Sequence, residues 1–241
     1  MHSLLESTDI ALGAPLSGSA SMVRFTSDGL LLFLHPNAAG VRTLFSYEPT
    51  THTLLALLDR SLDAAVNSSA LSLTEQLRRE RMRSFASGIS SYDMVESGAV
   101  FENRLMIPTA DGRILIYDHR SSFLPKLWTV FDGAGSGSSP VDPHISAVGD
   151  KVAFVLENDL FFIHINEDAV SKEVHRVTTR GAEGGGLISC GVAEFIAQEE
   201  MDRYRGFWWS PLIPSAKQFL LYTVVDESRV PEFTILHQVK E

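Results

Sequence analysis

Val23-Arg24-Phe25-Thr26-Ser27-Asp28-Gly29-Leu30-Leu31-Leu32-Phe33-Leu34 sets two short apolar runs on either side of Thr-Ser-Asp-Gly. Asp-Gly supplies the positive φ values of a tight turn, so the stretch predicts a β-hairpin. A second hairpin is predicted just beyond it, from Thr43 to Tyr47 and Thr53 to Leu57, turning through Glu48-Pro49-Thr50-Thr51. Together the two hairpins make one four-stranded antiparallel unit.

The arrangement recurs along the chain. Val100 to Pro108 and Ile114 to Tyr117 flank Ala110-Asp111-Gly112, and Lys151 to Leu156 and Leu160 to Ile165 flank Glu157-Asn158-Asp159. A last unit begins with Phe207 to Trp209 and Phe219 to Val225. Repetition of a four-stranded unit is the sequence signature of a β-propeller, here unevenly spaced by long insertions. The insertion at about 71–86 carries Leu73, Leu77 and the charged set Glu75, Arg78, Arg79, Glu80, Arg81 and Arg83. From Leu71 to Ser84 it has no Gly or Pro and few β-branched residues, which predicts a helix with Glu75 and Arg79 paired across one turn. Gly133 to Ser139 and Gly181 to Gly186 read as flexible loops, and neither fits a phosphate-cradling pattern. The expected fold is all-β: an N-terminal segment over 1–20, then a partial β-propeller over 21–241 with an arginine-rich helical insertion.

Phe195-Ile196-Ala197-Gln198-Glu199-Glu200-Met201-Asp202-Arg203-Tyr204-Arg205-Gly206-Phe207-Trp208-Trp209-Ser210-Pro211 carries the chemistry. Adjacent carboxylates ordinarily mark a solvated face. Here Phe195, Ile196, Phe207, Trp208 and Trp209 imply a segment, 195–206, that leaves and re-enters apolar packing, so the pair stands on an anchored excursion. Two close carboxylates repel, and a primary ammonium with three donors relieves that repulsion. Asp202, Arg203 and Tyr204 are expected to orient the segment through local hydrogen bonds. Trp208, Trp209 and Cys190 are expected to pack in the core.

The same segment resembles the double-glutamate motif of the dipeptidyl peptidase IV family of serine exopeptidases, in the prolyl oligopeptidase clan. Asp159-Leu160-Phe161-Phe162 is similar to a propeller strand of that family, and Ser91-Tyr92-Asp93 to its early blade motif. Arg79-Glu80-Arg81-Met82-Arg83 is similar to the arginine-rich helix of its cytosolic dipeptidyl peptidase 8/9-like members, and all these pieces stand in the family's order over roughly residues 20 to 235. The resemblance implies about three to four blades of an eight-bladed propeller, with Glu199 and Glu200 binding the free α-ammonium of a peptide. It implies an arginine on the insertion that holds a substrate carbonyl. Arg83 falls at the matching position, and helical register alone does not separate it from Arg79 and Arg81. The implied partners are peptide N-termini with Pro or Ala in second place, and family members are commonly homodimers. The family's catalytic serine lies in a C-terminal α/β-hydrolase domain on a G-x-S-x-G elbow, and no serine here has Gly at both positions. The expected function is therefore the substrate-recognition and gating portion of a serine dipeptidyl peptidase, present as a fragment without the Ser/Asp/His domain and inactive alone. The competing expectation is a non-catalytic propeller scaffold that binds proteins.

Composition narrows the classes further. A net charge of -10 over 241 residues disfavours nucleic acid, whose phosphates demand clustered Lys and Arg, and suits a cationic ligand. Cys190 is the only cysteine, which excludes an intrachain disulfide. The N-terminus has neither a basic n-region nor a long apolar h-region, and no stretch approaches the roughly 18 to 20 apolar residues of a membrane span, so a cytoplasmic setting is expected. The eight histidines are scattered without ligand spacing, so neither a metal nor a cofactor is expected.

Overall fold

A computed structural model describes residues 19–58, 73–82, 88–109, 111–119, 126–133, 139–165, 173–213 and 217–231, and within them the chain forms three four-stranded antiparallel meanders and parts of a fourth sheet. The first blade orders β1 (Ser21–Phe25), β2 (Leu31–Pro36), β3 (Arg42–Glu48) and β4 (Thr53–Ala56). The second orders β5 (Asp93–Met94), β6 (Arg104–Pro108), β7 (Arg113–Asp118) and β8 (Lys126–Asp132). The third orders β9 (Val141–Ile145), β10 (Lys151–Leu156), β11 (Asp159–His164) and β12 (Val174–Arg176). The turn chemistry is as the residues require: Gly29 sits at φ +92° between β1 and β2, and Glu157 and Asn158, at φ +49° and +66°, form the two-residue turn that opposes Leu156 to Asp159.

The stacking of blades follows from the pleat. Successive side chains of a strand point to opposite faces, so a strand between two neighbouring blades must be apolar on both. In β6, Leu105 and Ile107 face Leu32, Leu34 and Leu44 of the first blade, while Met106 joins Val152, Phe154 and Ile163 of the third. In β7 the split repeats, Leu115 and Tyr117 to one side, Ile114 and Ile116 to the other. In β10, Val152 and Phe154 serve the second blade, and Ala153 and Val155 pack with Phe207 of the fourth sheet. Every residue of β6 is buried as a result. Tyr92 fastens the first two blades, its hydroxyl donating to the carbonyl of Met22 at 2.5 Å and lying 3.2 Å from that of Leu32. Burial pushes that phenol up to about 12.

The fourth sheet is assembled differently from expectation. Phe219 to Val225 is not one partner strand for Phe207 to Trp209: β15 (Leu220–Tyr222) pairs with β14 (Phe207–Trp209), whereas β16 (Val224–Asp226) pairs with β13 (Ile188–Cys190). Between them Thr223 joins both, accepting from Gly191 N and donating to Gly206 O. Residues 188–191 and 206–209 thus lie end to end along the consecutive strands β16 and β15, and everything from Val192 to Arg205 is an excursion out of that line.

Other expectations are corrected in detail. Val100 is 80% exposed in a turn, because β6 begins only at Arg104. Asp159 is the first residue of β11 rather than a turn residue, fully buried, and accepts from Thr178 Oγ1, Arg176 and the amides of Gly181 and Ala182. Those bonds order the start of the Gly181 to Gly186 stretch into a short helix, α2 (Arg180–Glu183), instead of a flexible loop. The predicted insertion helix is α1 (Leu73–Arg81), with Arg79 Nε 2.8 Å from Glu75 Oε1 as the spacing required. Arg83 and most of Gly133 to Ser139 lie outside the described residues. Among the described residues no helix is long and apolar enough to cross a membrane.

Candidate functional site

The excursion has a narrow neck. Val192 and Arg205 pair there as an isolated antiparallel bridge, flanked by Gly191 and Gly206. A Cβ on Gly206 would stand 2.4 Å from Val192 C and 2.5 Å from Gly191 C, so the two backbones close only because this residue has no side chain. Beyond the neck, α3 (Phe195–Glu200) carries Glu199 and Glu200 at its C-terminal end. The helix ends as Asp202 adopts φ +50°, a left-handed conformation that Asp tolerates better than most residues, and Arg203 N returns to Ala197 O at 3.0 Å.

On the outgoing side the anchors are not those the sequence suggested, whereas on the return side Phe207 and Trp209 do pack in the core. Phe195 and Ile196 are 56% and 54% exposed, whereas Ala197 and Gln198 are buried. The Gln198 amide donates to Ala193 O at 2.6 Å and accepts from Arg81 Nη1 at 3.0 Å. Arg81 completes a clasp between α1 and α3. Its Nε lies 3.0 Å from Glu199 Oε1, and its guanidinium lies 4.9 Å from the centre of the Phe195 ring. Phe207 is fully buried on the return side, and the Trp209 indole donates to His144 O at 3.0 Å. Tyr204 takes the orienting part expected of it, donating to Asp202 Oδ1 at 3.2 Å and reaching Arg81 O at 3.4 Å. Between the two helices runs a cleft of about 690 Å³ bordered by Leu77, Glu80, Arg81, Glu199, Asp202 and Tyr204. Its border carries three carboxylates and one guanidinium, a lining that attracts a cation.

Beneath this clasp lies a buried charge network that sequence reading missed. Arg78 ion-pairs with Asp142 on β9 and lies 3.4 Å from both Glu75 Oε2 and Tyr204 O. His144, two residues on, places Nε2 3.0 Å from Asp142 Oδ1 and Nδ1 3.0 Å from Asp93 Oδ2 on β5. Burial works against the charge of Asp142, but Arg78 and His144 together outweigh it and hold the carboxyl below the usual range. Burial likewise opposes an imidazolium at His144, and the hydrogen bonds to Asp142 and Asp93 outweigh that and raise it. Asp142 sits at φ +50°, an unfavourable conformation for a residue preceding proline, held by these partners. The one available signal was Asp142-Pro143-His144 itself, polar in a position where a strand was not anticipated. Among the described residues no group of three or more His, Cys, Asp and Glu could hold a metal ion.

Comparison with known proteins agrees with this architecture. Residues 110–241 match the family described as "Dipeptidyl peptidase IV (DPP IV) N-terminal region", and the chain belongs to that family. Dipeptidyl peptidase 8 of Homo sapiens is 30% identical over 220 residues, covering 80% of this chain and 21% of that protein. The Mus musculus protein of the same name is 31% identical over 207 residues, with the same coverages. A probable dipeptidyl-aminopeptidase B of Tuber melanosporum is 30% identical over 95 residues, 39% of this chain and 10% of that one. The crystal structure of Porphyromonas gingivalis dipeptidyl peptidase 4 matches 95% of this chain and 28% of its own, with a TM-score of 0.51 at 19% identity, a likeness of fold. The chain spans about a fifth of the length of the dipeptidyl peptidase 8 relatives it matches.

Proposed function

We propose that residues 21–241 are the substrate-recognition portion of a dipeptidyl peptidase, in which Glu199 and Glu200 bind the free N-terminal ammonium of a peptide. The observation that carries this reading is the short helix α3, which is held out of the sheet line by a two-glycine neck and ends in two adjacent carboxylates, the first of which, Glu199, borders an acidic cleft. Arg81 already offers Glu199 a cation, which is what the pair would exchange for an ammonium. Among the described residues Glu200 engages no ion pair and is exposed, so its carboxylate can accept an ammonium without first giving up a cation. Family membership supports N-terminal dipeptide release, with Pro or Ala in second place, as the activity of the protein in which this portion works. Arg83, just past α1, is the proposed holder of a substrate carbonyl, and a cytoplasmic homodimer is the proposed setting.

The test is calorimetric or NMR titration of the chain with Gly-Pro amide, Ala-Pro amide and their N-acetyl counterparts. Binding should require the free amine and should weaken about tenfold or more in Glu200→Gln, the worth of one charge-assisted hydrogen bond of roughly 1.5 to 3 kcal/mol. Equal binding of amine and N-acetyl forms would refute the reading.

A further inference from the structure

His144 offers one ring nitrogen to two partners that it cannot satisfy together. Nδ1 lies 3.0 Å from Asp93 Oδ2, which only accepts when ionised, and 2.9 Å from Arg205 Nη2, which only donates. Nε2 is committed to Asp142 Oδ1 at 3.0 Å. With a neutral ring, the proton sits on Nε2, and the Nδ1 lone pair accepts from Arg205. With a protonated ring, Nδ1–H donates to Asp93, and Arg205 then meets an N–H and a like charge. We propose that His144 is a proton-operated positioning residue for the Glu199–Glu200 excursion: neutral, it fastens Arg205 and the neck, and protonated, it turns to Asp93 and releases them.

The place of the ring gives the exchange leverage. Arg205 is the neck residue that bridges Val192, and the preceding Tyr204 carbonyl is within reach of Arg78. Phe207, at the start of β14, packs edge-on to the imidazole at 5.7 Å. The charged groups around it are Asp93 from β5, Asp142 from β9, Arg78 from α1 with Glu75 behind it, Arg205 from the neck and Glu96 from the loop after β5. Arg24, Arg79 and Arg113 line the far side of the adjoining cavity of about 290 Å³. Arg205 is itself exposed, so its release moves a guanidinium into water without opening the core. The raised proton affinity of His144 puts the exchange at or above the ordinary histidine range. The consequence for peptide binding rests on the role proposed for Glu199 and Glu200, whereas the exchange at His144 does not.

An NMR titration of the chain without peptide tests the exchange, following the His144 ring, the Arg205 Nε–H and the Trp209 indole N–H. The Arg205 and Trp209 signals should move with the His144 midpoint. Arg205→Ala should raise that midpoint by about one pH unit or more, because a competing cation and a donor to the neutral ring are gone, and Asp93→Asn should lower it. His144→Gln should abolish the pH dependence of the Arg205 signal; if that variant does not fold, the other two decide. An unchanged midpoint in Arg205→Ala, or an Arg205 signal indifferent to it, would overturn the proposal. Gly-Pro amide should then bind more tightly above the midpoint than below it, with the step missing in Arg205→Ala. Exchange at His144 without a step in binding would overturn the positioning role. Loss of the ammonium reading is separately visible as a Glu200→Gln variant that binds like the parent.

Discussion

Replacing Arg78 by Met keeps the apolar stem and removes the charge that Asp142 was buried against. The two side chains are 15% and 6% exposed, so water makes up little of the loss. Removing one partner of a buried pair costs about 3 to 5 kcal/mol, because the remaining charge is left uncompensated. His144 still donates to Asp142, which places the expected loss near the lower end, about 3 kcal/mol at pH 7. Urea denaturation followed by tryptophan fluorescence reads this as a lower midpoint at unchanged slope. The pH dependence carries a second check. In the parent, Asp142 is held below its unfolded value, so its contribution is complete above the unfolded pKa of about 4 and is lost as pH falls through the folded value. In Arg78→Met, burial is no longer offset by the guanidinium, the native value rises, and the penalty of the buried charge is relieved as pH falls. The gap between parent and variant should therefore be widest near neutrality and narrow below about pH 5. Adding Asp142→Asn should recover about 2 kcal/mol, the coupling expected of residues in one network. A loss under about 1 kcal/mol at pH 7, the worth of an exposed ion pair, or a gap that does not change with pH, would refute the reasoning.

Glu199→Gln should weaken binding of a free-amine dipeptide amide less than Glu200→Gln in the same titration, since Arg81 already holds Glu199 at 3.0 Å and must yield it. Asp159→Asn should destabilise the chain by about 2 to 4 kcal/mol, because an amide cannot accept all the bonds that organise β11, β12 and α2, and thermal denaturation measures it. Asp159 is also held below the usual carboxylate range, its hydrogen bonds to Thr178 and Arg176 outweighing burial, so the parent's own advantage over the Asn variant should fade as pH falls below about 4. Gly206→Ala should cost about 2 kcal/mol or more and shift the amide signals of Val192 and Arg205, because the added Cβ meets backbone at 2.4 to 2.5 Å that cannot give way.

Blade repetition was legible in the chain because turn chemistry and apolar alternation are local. Ser27-Asp28-Gly29, with Gly29 at positive φ, and Glu157-Asn158 each force a reversal within two or three residues, and Leu105 to Ile107 must be apolar on both faces wherever the neighbours lie. The helical insertion and the Glu199–Glu200 segment were legible for the same reason, one from propensity and one from composition. Strands β5, β9 and β13 were not, being short and partly polar: Asp93, Asp142 and Ser189 carry no periodic signal. What holds the site was hidden still more completely. Exposed Phe195 and Ile196 have the same sequence signature as buried anchors, and only the packing of α3 shows that Gln198 does that work. Arg78 and Arg81 are three residues apart on one helix, yet one is turned inward to Asp142 and the other across to Glu199, a division set by the distant elements that meet α1. Local backbone preference is written in neighbouring residues, so the sequence alone determined the hairpins, the insertion helix and the carboxylate pair. The ion pairs and hydrogen bonds that join residues 78, 93, 142, 144 and 205 depend on distances across three elements and the neck, and those exist only once the blades have stacked.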